Sequence, residues 1–121
     1  MRVFKTRWFS KAASKAKIKD ADLCKVIKEV AEGKADDLGG GVYKKRLNQN
    51  RHRSIIVAKG KHYWIYEFLY AKKDMDNISD QELENFRLLA KAYSGLNEQQ
   101  VKALLKEQML VEICYENNTQ I

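Results

Sequence analysis

Residues 39–70, GGGVYKKRLNQNRHRSIIVAKGKHYWIYEFLY, decide the reading of this chain. Gly39, Gly40 and Gly41 mark a sharp change of element. Three runs rich in β-branched and aromatic residues follow, at Val42 to Leu47, His52 to Lys59 and His62 to Tyr70. Their links, Asn48-Gln49-Asn50 and a turn at Gly60, are short enough for antiparallel hairpins. Threaded through the runs are Lys44, Lys45, Arg46, Arg51, Arg53, Lys59 and Lys61, with no acidic residue between Leu38 and Tyr66. The chain holds 23 Lys or Arg and 16 Asp or Glu, so this stretch carries the whole net charge of +7. Strands that display so concentrated a field point to a polyanionic partner. A solvated sheet face with no partner is the plainer alternative.

Outward from this stretch the order is α+β. On the N-terminal side, Arg2 to Phe9 reads as a short strand. Ser10 then caps a short helix with Phe9, Ala12, Ala13 and Ala16 as its apolar face. Asp20 or Asp22 caps a second helix, with Leu23, Val26, Ile27, Val30 and Ala31 at helical spacing and Gly33 closing it. On the C-terminal side two capping boxes appear, Ser79 with Glu82 and Asn97 with Gln100. Ile78 staples onto Leu83 and Leu96 onto Val101. The first of these helices carries Leu83, Phe86, Ala90 and Tyr93 and the second Val101, Leu104 and Leu105. Met109 to Tyr115 reads as a last strand and Glu116 to Ile121 as a polar tail.

A chain of 121 residues is one domain on size alone. No apolar run approaches the ~20 residues of a membrane helix, and Met1 to Phe9 lacks a signal peptide's apolar core. The expectation is a soluble cytoplasmic protein that contacts no membrane. Cys24 and Cys114 stand far apart on apolar faces, which reads as two buried free thiols rather than a metal pair or a disulfide.

Alternation assigns the charges to faces. Tyr43, Lys45 and Leu47 share one face of their strand and Val42, Lys44 and Arg46 the other. Two large apolar groups turn the first set to the core, so Lys44 and Arg46 project together and Lys45 snorkels or lies at an edge. A paired neighbour brings Arg53 or His52 beside them. Like charges side by side repel, which a fold tolerates where an anion neutralises them.

Several chemistries have no support in the sequence. No carboxylate lies between Leu38 and Tyr66 and no HExxH grouping occurs, so no metal or other cofactor is expected. The glycines lack the Lys and Ser/Thr of a phosphate-binding loop. What remains is metal-free phosphate chemistry. RNA carries its own nucleophile, the 2′-OH, and an enzyme need only align it, move its proton and stabilise the added negative charge. Arg clamps a phosphate with two parallel hydrogen bonds, and Lys adds a point charge.

At this point the chain resembles a family. The order Gly39-Gly40-Gly41-Val42-Tyr43-Lys44-Lys45-Arg46, then Arg53 opening an apolar strand, then Tyr70-Ala71-Lys72 and Asp76-Asn77-Ile78 before a capped helix is similar to the RelE/HigB branch of the RelE/ParE toxins. The resemblance runs over nearly the whole chain, 1–121 as one toxin domain. It implies two N-terminal helices on a curved antiparallel sheet, here with an added C-terminal helix pair. It also implies ribosome-dependent, metal-independent cleavage of mRNA and inhibition of translation. The implied partners are a cognate antitoxin, often a helix-turn-helix protein, the ribosome with its mRNA, and operator DNA bound by the toxin–antitoxin complex.

By the same resemblance, Lys44, Arg46, Arg53 and Lys72 are the implied catalytic set. Lys45, Arg51, His52, Tyr70 and Lys73 are the accompanying RNA-binding set. His52 suits proton transfer, or is an edge histidine without a role. Glu67, inside an aromatic strand, is a base or an ion partner. Trp8, Trp64, Phe68 and Phe86 read as core, Tyr63 and Tyr66 as core or stacking residues. Lys11, Lys15, Lys17 and Lys19 form a basic helical face, solvated, gripping ribosomal RNA or meeting an acidic antitoxin segment. Two other functions fit the charge: a ParE-like poison of DNA gyrase, and a non-catalytic RNA- or DNA-binding module.

Overall fold

The computed structural model describes residues 1–60 and 62–115. Lys61 of the basic stretch and the tail expected over Glu116 to Ile121 lie outside the described residues. The elements run β1 (Arg2–Thr6), α1 (Arg7–Lys15), α2 (Asp20–Ala31), β2 (Asp36–Gly39), β3 (Val42–Leu47), β4 (His52–Lys59), β5 (Tyr63–Ala71), α3 (Asp80–Ser94), α4 (Glu98–Lys106) and β6 (Leu110–Ile113). Among the described residues the fold is thus α+β, with four helices and one six-stranded sheet in the order β2-β3-β4-β5-β1-β6.

The sheet is mixed rather than antiparallel. β3 to β5 form the expected meander and β2 adds an unexpected strand at its edge, but β1 enters parallel to β5, pairing Arg2 with Tyr63 and Lys5 with Tyr66. β6 closes the far edge antiparallel to β1. Parallel pairing needs a long crossover, and α1, α2 and the meander supply it. The N-terminal strand also ends earlier than its alternation suggested. Thr6, the last residue of β1, caps α1, its Oγ1 accepting from the Phe9 N–H at 3.0 Å, so Ser10 falls inside the helix. α2 begins after Lys19, whose N–H donates to Asp22 Oδ2 at 3.4 Å. Both C-terminal capping boxes form as expected, at Ser79–Glu82 and Asn97–Gln100.

Each face of the sheet buries its own core. One holds Leu47, Ile56, Trp64, Tyr66 and Leu69 against Phe9 and Ala13 of α1 and Leu23, Ile27 and Val30 of α2. The other holds Val42, Ile55, Val57 and Ile65 against Ala90 and Tyr93 of α3 and Val101 of α4. The glycine run serves this second core. Gly40 has φ +65°, and a Cβ there would meet Arg87 Cγ of α3 at 2.8 Å. Arg87 in turn donates to the Leu38 and Gly39 carbonyls, tying α3 to the β2–β3 turn.

The cysteines are not free. Cys24 of α2 and Cys114, just past β6, form a disulfide with Cα atoms 5.4 Å apart. They are 90 residues apart in sequence, and only the return of β6 alongside β1 brings them together. No helix among the described residues is long and apolar enough to cross a membrane.

Candidate functional site

Strand register assembles the site. Arg46 of β3 pairs across with Arg53 of β4, and Arg53 with Tyr70 of β5. Cross-strand neighbours have Cβ atoms about 4.5–5.5 Å apart, so three functional side chains stand in one row. The next row along the same face is Lys44, Ile55 and Phe68. This is the α3/α4 face, and it agrees with the parity expected for Lys44 and Arg46.

The row survives as a cationic site because little neutralises it. Arg46 is exposed. Arg53 is buried at 8% exposure, and its Nη1 donates to the carbonyls of Asn50 at 2.9 Å and His52 at 3.2 Å. Those carbonyls orient the guanidinium without cancelling its charge. Neither arginine is ion-paired among the described residues. Lys44 has one distant carboxylate, Asp36 at 3.9 Å. The turn behind Arg53 is strained in a useful way. Asn48, Gln49 and Asn50 all take left-handed backbone, with φ of 53°, 56° and 68°. Asn tolerates this conformation better than most residues, and the turn presents the Asn50 carbonyl to Arg53.

Tyr70 reaches the row through a β-bulge. Ile55 pairs with Phe68 but Ile56 with Tyr66, which leaves Glu67 as the extra residue. The bulge reverses the alternation beyond it, so Phe68 and Tyr70 join the α3 side and Leu69 the α1/α2 side. The Tyr70 hydroxyl is buried without a hydrogen-bond partner in the structure. Burial raises its pKa, and Arg53 pulls it back down. An orphaned buried hydroxyl beside Arg53 is a donor with nothing to donate to.

The other expected residues lie elsewhere. His52 pairs between Leu47 and Ala71, which puts it on the opposite face from Arg53. Burial and the charge of Arg51 lower its pKa from the ordinary imidazole value. It shares a groove of about 730 Å³ with Arg51, Lys72, Lys73 and Lys15. Lys72 is exposed there, its N–H bonded to the Arg51 carbonyl at 2.9 Å. Lys45 is committed to structure: its ammonium bonds the Lys34 carbonyl at 2.6 Å and Glu29 at 2.9 Å. Glu67 is held by a hydrogen bond and, among the described residues, is not ion-paired. Burial raises its carboxyl pKa to about 7, while the Tyr93 hydroxyl, donating at 3.1 Å, opposes the shift.

Two aromatic readings change. Tyr66 is fully buried, its hydroxyl donating to the Leu23 carbonyl at 2.7 Å. Trp8, expected in the core, is 51% exposed and stacks on Phe68 with centroids 5.0 Å apart. Trp8, Lys11 and Lys15 share the helical spacing i, i+3, i+7, a signal that the apolar reading of α1 passed over.

Comparison with known families gives one match: residues 1–113 fit the family described as the RelE toxin of the RelE/RelB toxin–antitoxin system. No curated protein and no solved structure matches the chain significantly.

Proposed function

The chain belongs to the RelE family, the toxins of type II toxin–antitoxin pairs, and on that premise we propose that it is a metal-independent endoribonuclease. In this reading it cuts mRNA on the ribosome and thereby inhibits translation, as a single toxin domain over residues 1–121 of the RelE/HigB-like branch. Its partner is the antitoxin of such a pair. A helix-turn-helix antitoxin, a cytoplasmic setting and a complex that binds its own operator DNA complete the proposal.

The observation that carries it is the Arg46–Arg53–Tyr70 row, two arginines side by side with no carboxylate paired to either among the described residues. A phosphodiester seated there receives bidentate hydrogen bonds, and Lys44 one pleat away adds charge. The 2′-OH attacks the adjacent phosphorus, the P–O5′ bond breaks, and the proton passes from the 2′-oxygen to the leaving 5′-oxygen. The products are a 2′,3′-cyclic phosphate and a 5′-hydroxyl. The phosphoryl oxygens gain charge at the transition state, where Arg46 and Arg53 act most strongly. Tyr70 donates its unpartnered hydroxyl to one of those oxygens. Lys72 and Lys73 hold the flanking strand. The test is induction of the chain alone in bacteria, with message ends mapped. Cuts confined to ribosome-loaded mRNA and bearing cyclic phosphate are expected. Intact message with gyrase-linked DNA breaks would overturn the reading.

A further inference from the structure

Trp8 is one of the large hydrophobic side chains left exposed, and it sits on a helix face with lysines. Half of it stands in water beside a core that could have taken it. Its ring lies 19° from parallel with Phe68, which in turn contacts Phe86 at 5.8 Å and Tyr70 at 6.0 Å. One face of the indole is therefore backed by a stack of aromatics.

The surroundings are basic. Trp8, Lys11, Ala12 and Lys15 line one side of a groove of about 720 Å³, and the β5 segment from Phe68 to Ala71 lines the other. β1 pairs with β5 only as far as Tyr66, so the groove begins where that pairing stops. It runs on into the groove around Arg51 and Lys72, sharing Lys15, His52 and Lys73 with it. Asp74 and Asp76 are the carboxylates that line the two. α1 itself contains no acidic residue. Trp8 and Lys15 are about 10 Å apart along the helix axis, so the aromatic and the cations alternate on one track.

We propose that Trp8 is a nucleobase platform, with single-stranded RNA laid along α1, one base on the open indole face and backbone phosphates on Lys11, Lys15 and Lys73. The proposal rests on the RNA-cutting reading and adds where the strand lies. An aromatic face interleaved with lysines is the surface that single-stranded nucleic acid takes, since every base has a flat π-face and every linkage a charge. An acidic peptide would use the lysines and leave the indole idle. The platform neighbours the cutting row directly, through Phe68 and Tyr70.

The test is tryptophan emission during titration with 2′-O-methyl hexaadenylate, which cannot be cut, and with an abasic hexamer of the same charge. Trp64 is 8% exposed, so a response reports Trp8. Quenching by hexaadenylate and not by the abasic strand is expected. Trp8→Ala is expected to weaken hexaadenylate binding roughly tenfold to a hundredfold with no change for the abasic strand, and Trp8→Tyr to restore most of it. An unresponsive emission in the wild-type chain overturns the platform, even if Trp8→Ala fails to fold. A hexaglutamate peptide that quenches as strongly also overturns it, in favour of a protein-docking site. Message cut in cells with no quenching sinks the platform alone. Quenching with message left intact sinks the nuclease reading alone.

Discussion

Lys45 and Arg46 are neighbours in sequence and opposites in structure. Lys45 points to the α1/α2 face, where the Lys34 carbonyl and Glu29 hold its ammonium. Arg46 points to the α3/α4 face, where it stands exposed beside Arg53 and neither is ion-paired among the described residues. The two faces spend their charge differently. One uses a cation to tie a helix to a strand, and the other keeps two cations unneutralised against their mutual repulsion. A stretch that looks uniformly basic therefore holds cations in different states, some tied into the fold and some unpaired among the described residues.

The largest test of that contrast is catalytic. Arg46→Ala and Arg53→Ala are each expected to lower message cutting by about 10²–10³-fold, as lost transition-state donors do. Thermal melts should show Arg46→Ala folding normally, because its side chain is exposed. Lys45→Ala is expected to leave cutting unchanged. A Lys45→Ala chain as inactive as Arg46→Ala would erase the distinction between the faces.

The covered face is also the one that is cross-linked. Reducing Cys24–Cys114 releases a tie between α2 and the segment after β6. The loss should be about 2–4 kcal/mol, read as a lower midpoint in denaturant with reductant present. Thiol titration should find no free thiol in the unreduced chain and two after reduction. Two free thiols at the start would restore the simpler expectation of buried cysteines.

Next comes the bulge. Glu67 has its pKa raised to about 7 by burial, against an ordinary 4.5. Between those values the folded chain binds the proton that the unfolded chain has lost, so this group's contribution is full below about pH 4.5 and fades as pH rises to 7. The amplitude is at most about 3 kcal/mol. His52 works in the opposite sense, because its lowered pKa makes stability rise with pH below about 6.5. The difference between wild type and Glu67→Gln across pH 4–8 isolates the first. Parallel stability curves for the two proteins would show that Glu67 is ionised as usual.

The smallest expected effect is the most selective. Tyr70→Phe removes a buried hydroxyl that has no partner. Stability should stay level or rise by about 1 kcal/mol, while cutting falls roughly tenfold. A loss of both together would mean that the hydroxyl serves the fold instead of the row.

The sequence by itself determined the caps of α3 and α4, the β3-to-β5 meander, and the faces of Lys44 and Arg46. These depend on neighbours within a turn or a hairpin: a capping side chain reaches three residues, and alternation along a strand is a local rule. It also carried the family order of basic residues. Tertiary structure decided the rest. Trp8 read as core because aromatic residues usually are, and its exposure follows from where β1 stops beside β5. Alternation carried straight through β5 would put Tyr70 on the wrong face, because nothing local announces that Glu67 is an extra residue. Cys24 and Cys114 read as separate thiols until β6 returned beside β1. Each of these depends on contacts made far along the chain, which periodicity within one element cannot encode.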